Sequence, residues 1–142
     1  MKKISKLSLV FGYLALTSGS IWFGTYIARL LTTYQMFEET EFVLKNYITD
    51  TNLSAIFQTT FPLVNSTFYA YIVMIITFTL FLILSRLKLK ENGWLLIVAL
   101  IIYLTLSLES LLLIIDYKLI VLFLSDQFTS EQILQLTIER MS

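Results

Sequence analysis

The 142-residue sequence has no cysteine and no histidine. Without cysteine there is no disulfide, no thiolate metal site and no thiol nucleophile. Without histidine the commonest general base, the usual haem ligand and most zinc sites are missing. Charge is scarce too: charged residues make up 14% of the chain, against roughly a quarter in an ordinary soluble domain. The ten basic and ten acidic residues cancel, and nucleic-acid binding usually needs a basic face. Proline occurs once, at Pro62. No Walker loop, dinucleotide fingerprint or zinc motif occurs. These absences weigh against an enzyme. The sequence points to no catalytic residue, no cofactor and no metal, and only carboxylate chemistry stays open.

Apolar residues are what the chain has in plenty. They make up 57% of it, and the mean hydropathy is +0.79. A soluble protein of this size has too little interior to hide so much apolar surface. The composition therefore predicts an all-α integral membrane protein with three transmembrane helices, an N-terminal span followed by a hairpin. A span needs about 20 apolar residues. Residues 7–31, 67–85 and 94–115 qualify. "MKKISKLSLVFGYLALTSGS" has the outline of a secretory signal peptide. The sequence after Ser20 stays apolar through "IWFGTYIARLL", so an uncleaved anchor is expected instead.

Residues 32–66 read as an outer loop. "FEETEFVLKNYI" has apolar residues near helical spacing, which predicts a short amphipathic helix at an interface. Asp50 or Asn52 can cap a second short helix, with Pro62 ending it. "RLKLKENG" is a tight polar turn joining spans two and three. In the tail, residues 117–142, Thr129 and Gln132 fit a capping box. That short helix is too apolar to be fully solvated, and is expected on the membrane surface or on a partner.

Basic residues set the expected orientation. Lys2, Lys3 and Lys6 precede span one, and Arg86, Lys88 and Lys90 fill the turn. Glu38, Glu39, Glu41 and Asp50 fall in the loop against Lys45. The positive-inside rule then places the N-terminus in the cytoplasm and the C-terminus outside, in a membrane such as the bacterial plasma membrane.

Charges within the apolar runs are the candidate site. At 1.5 Å per residue, Arg29 lies ~33 Å along span one and Asp116 ~33 Å along span three. Glu109 comes deeper, at ~22 Å. Seven residues return a helix to nearly the same face, so Glu109 and Asp116 share a stripe with Thr105 and Leu112. Arg29 is expected to pair with Asp116 or Glu109, and burial can keep Glu109 protonated. A second pattern is Gly12, Ser20, Gly24 and Ala28, small residues that permit close helix approach. Together these features predict a non-catalytic accessory subunit of a larger membrane complex. Its expected partners are the lipid bilayer and other membrane subunits or copies of itself, with no nucleic acid. The alternative is a small oligomeric ion or proton channel using Glu109, Asp116 and Arg29.

Overall fold

The computed structural model describes residues 5–38, 43–125 and 129–141. Among them are four α-helices: α1 (Lys6–Tyr34), α2 (Asp50–Ser85), α3 (Gly93–Leu124) and α4 (Ser130–Met141). The bundle is built on the pairing of α1 with α2. Along α2 the buried residues are Leu53, Phe57, Val64, Thr67, Tyr71, Met74, Thr77, Phe78 and Ser85. Thr77 apart, they recur at spacings of three, four and seven, the seam that lets one helix lie along another. On α1 the matching residues are Ser8, Ala15, Ser18 and Arg29. Most of these are small, so the two backbones come close. A Cβ on Gly12 would stand 3.1 Å from the Phe81 ring, and one on Gly19 3.0 Å from Met74 Sδ. Trp22 packs on Tyr71 with ring centroids 5.2 Å apart. Partners on α2 fall in number as those on α1 rise, so the two helices are antiparallel.

Arg86 ends α2 at φ 49°, a left-handed conformation that costs a non-glycine residue energy. A 3-10 turn over Leu89–Glu91 follows, and the chain returns as α3. Leu95 and Ala99 pack with Ala15 and Phe78 to form a small core at this end. A larger core occupies the opposite end, where Met36, Phe37, Leu53, Phe57, Val64, Leu119, Ile120 and Ile133 meet. Helix α4 closes that end. Its N-terminus is the expected capping box: Thr129 N donates to Gln132 Oε1 at 3.2 Å, and Gln132 N donates to Thr129 Oγ1 at 3.4 Å.

The expected architecture needs correction. In place of three spans with peripheral pieces, the chain forms a bundle of four helices whose ends are tied together inside. The proposed amphipathic helix in "FEETEFVLKNYI" is absent among the described residues. Phe37 bridges Leu44 in antiparallel fashion, with Glu38 N donating to Val43 O at 2.9 Å and Lys45 N to Met36 O at 3.0 Å. Residues 39–42, with the charges of Glu39 and Glu41, lie outside the described residues, as do Lys2 and Lys3. The second short helix is the first part of α2. Its N-cap is Thr49, not Asp50 or Asn52; Asn52 stands at N3, where its Oδ1 accepts from Thr49 N at 2.8 Å, and the helix continues to Ser85.

Localisation is corrected with the architecture. The N-terminus-inside, C-terminus-outside topology in a bacterial plasma membrane follows from the basic residues before span one and in the turn, and it implies Asp116 near an outer interface and a tail lying apart. Asp116 is 1% exposed, enclosed between α1 and α4, and the tail folds back onto the bundle. The three long helices are long and apolar enough to cross a membrane, a statement about length and composition alone. Only 6% of the most apolar stretch of α3 is buried. The core therefore comes from the α1–α2 seam and the α4 end, and not from the most apolar sequence.

Pro62 does not end a helix but lies within α2. Its missing N–H leaves one carbonyl of the preceding turn without a helical partner. Packing holds the helix through it: the Phe61 and Phe123 rings lie 4.5 Å apart, and Phe57 and Val64 are buried on either side. Proline in a helix interior costs up to about 3 kcal/mol relative to alanine. Pro62→Ala should therefore stabilise the protein by about 1–3 kcal/mol. Denaturant unfolding reads this as a higher midpoint at unchanged slope, and an unchanged midpoint would mean the bundle has already absorbed the defect.

Candidate functional site

Three helices deliver one charged side chain each to a single point. Arg29 comes from the last turns of α1, Asp116 from the last third of α3 and Arg140 from the end of α4. Arg29 Nη1 stands 2.7 Å from Asp116 Oδ1. Arg140 Nε donates to the same oxygen at 2.8 Å. All three side chains are more than nine-tenths buried. The Arg140 guanidinium also lies 5.6 Å from the centre of the Tyr26 ring, a cation–π contact that favours the charged form. Two guanidiniums thus share one carboxylate oxygen.

The sharing is incomplete. Arg29 Nη1 approaches Asp116 but is not aligned for a hydrogen bond, and Arg140 Nη2 has no acceptor either. Burial pushes the Arg29 pKa down, the Asp116 charge opposes that, and the Arg140 charge adds to it. Arginine nonetheless stays charged in proteins. Beside the two guanidiniums is a cavity of about 20 Å³, walled by Tyr26, Leu30, Thr33, Thr137 and Met141. The two threonine hydroxyls are already committed, Thr33 to Arg29 O and Thr137 to Ile133 O, both at 2.8 Å.

Arg29 and Asp116, expected at matching heights, are brought together. Glu109 is not brought into contact with them. It is half-buried on α3 and makes no ion pair among the described residues. Burial pushes its carboxyl pKa up, opposed by the Arg140 charge. Its stripe neighbour Thr105 donates to Ile102 O at 2.9 Å. Most helical hydroxyls do likewise, as with Thr25 to Ile21 O and Thr79 to Ile75 O, both 2.8 Å. Such self-bonding satisfies a polar group locally and builds no relay.

The small-residue pattern divides. Gly12 meets Phe81, whereas Gly24 faces open space, Ser20 is exposed and Ala28 is half-buried. The α1 seam runs instead through Ser8, Ala15, Ser18 and Gly19. An apolar groove of about 660 Å³ lies along that pairing, lined by Gly12, Gly19, Phe78, Phe81, Leu95 and Ile102 among others, with no charged side chain in its wall.

The functional reading changes accordingly. The sequence predicts an accessory subunit of a multi-pass membrane complex, or an ion or proton channel or transporter using Glu109, Asp116 and Arg29. Both readings are corrected, because Arg29 and Asp116 pair within one chain and Arg140 of that chain joins them. The ion pairs are therefore no evidence for lipid or for membrane-protein partners. Sequence reasoning missed Arg140. The signal was present: it is the one basic residue that follows Lys118 in the tail. Reading the tail as a surface helix sent Arg140 to solvent. No family model, curated protein or solved structure matches the chain.

Proposed function

We propose that the protein is a non-catalytic helical bundle in which the Arg29–Asp116–Arg140 cluster seats the C-terminal helix on the other three. The observation that supports this is the shared oxygen: Asp116 Oδ1 holds α1 at 2.7 Å and α4 at 2.8 Å at once. Helix α4 has 12 residues, too few to be stable as an isolated helix. Among its described residues one apolar side chain, Ile133, is fully buried. The ion cluster and this anchor, with Leu134, Leu136, Ile138 and Met141 partly buried against the same core, set its position.

Hydrogen exchange tests the reading. In Arg140→Gln, amides of residues 130–141 should exchange at least tenfold faster, while those of the α1–α2 seam hardly change. Equal protection of α4 in both proteins would sink the proposal. Absence of catalysis is tested separately. A reaction run by the purified chain and abolished by replacing Arg29, Asp116 and the exposed Lys118, with folding intact, would make it an enzyme.

A further inference from the structure

We propose that the cavity between Arg29 and Arg140 binds one small monovalent anion of halide size. Charge is the first argument. The enclosed cluster holds two guanidiniums and one carboxylate, an excess of one positive charge, and arginine cannot shed it by deprotonation. Glu109, the nearby carboxyl on the same stripe of α3, forms no ion pair among the described residues.

Donors are the second argument. Arg140 Nη2 is buried and lacks an acceptor, a costly condition for any polar group and more so for a charged one, and Arg29 Nη1 has only its misaligned approach to Asp116 Oδ1 at 2.7 Å. The neighbouring hydroxyls do not relieve it. Thr33 and Thr137 donate to backbone carbonyls, their oxygens accept from neither unpaired guanidinium nitrogen, and they carry no charge. Size is the third. About 20 Å³ exceeds the ~10–15 Å³ that one water needs. It admits a chloride. A water fits as well, but a water leaves the charge uncompensated. The inference builds on the role of the cluster as the seat of α4, yet its test does not use that seat as a readout.

The test uses the purified full chain in sodium gluconate, titrated with sodium chloride or bromide at constant ionic strength. Thermal midpoint and chloride NMR line width are read together. Above half-saturation the midpoint should rise roughly 3–6 °C for each tenfold increase in halide. Excess line broadening should accompany it and be competed by bromide. Both effects should be lost in Arg140→Gln and weakened in Arg140→Lys, which keeps the charge but not the fork. A midpoint equal in chloride and gluconate, without excess broadening, overturns the proposal. So does a halide effect that survives Arg140→Gln unchanged, since the anion then sits elsewhere. The line width of the unmutated protein decides the matter even if a variant does not fold. The seating of α4 is judged in gluconate alone, by hydrogen exchange, so either idea can fail without the other.

Discussion

Asp116→Asn should destabilise the folded protein by about 3–5 kcal/mol, the usual cost of breaking a buried ion pair from one side. The substitution is nearly isosteric, so packing hardly changes. What changes is that two guanidiniums, each more than nine-tenths buried, lose the negative charge both depend on. The full effect should appear in denaturant unfolding as a lower midpoint. Replacing the whole cluster should behave otherwise. Arg29→Met, Asp116→Leu and Arg140→Met together remove every buried charge at the point. Such exchanges for apolar residues are often neutral or stabilising. A triple variant as unstable as Asp116→Asn would show that the pairing contributes real net stability. A single variant close to the parent would show that water already reaches the cluster.

Tyr71→Ala is expected to cost about 3–5 kcal/mol, and Tyr71→Phe close to nothing. Tyr71 is 1% exposed and sits in the middle of the α1–α2 seam. Its ring packs on Trp22 at 5.2 Å. Truncation to alanine opens a cavity between the two helices that make most of the bundle. The hydroxyl is another matter. It lies near Thr105 but makes no hydrogen bond of sound geometry. Removing it leaves no former partner stranded, so phenylalanine should hold the fold or improve it slightly. If Tyr71→Phe instead lost 2 kcal/mol or so, an ordered water would have to satisfy that hydroxyl. Paired unfolding curves of the two variants decide between these outcomes.

Parts of this molecule could be read from its sequence. The long helices over 7–31 and 94–115 come from apolar runs too long and too free of turn residues to be anything else. Depth arithmetic along ideal helices brought Arg29 level with Asp116, because both helices start at the same end and neither is interrupted. The cap on α4 was legible as Thr129 and Gln132. Errors arose where local chemistry and tertiary packing disagreed. Pro62 is an ordinary boundary residue, yet α2 passes through it, because Leu53, Phe57 and Val64 are buried in a core shared with α3 and α4. The α2 seam was legible as a repeat of three and four but is masked by the many apolar residues around it. Apolar content itself was a poor guide to the interior, since α3 is the most apolar helix and the least enclosed. Arg140 could not be assigned from spacing, because its partners Asp116 and Tyr26 are 24 and 114 residues away along the chain.

The outward faces of α1 and α3 have a practical consequence. Leu7, Leu16, Phe23, Ile97, Leu104, Leu108 and Leu111 are all more than half exposed. Contiguous apolar surface of this kind attracts whatever amphiphile or protein is present. A species that covers it binds the folded chain, and by linkage raises the apparent stability as its concentration rises. A melting temperature for this protein therefore describes a mixture. The variant comparisons above have meaning only at one protein concentration and one composition of the surrounding medium. The slope of the midpoint against that composition reports how much of the outer surface is covered in the folded state.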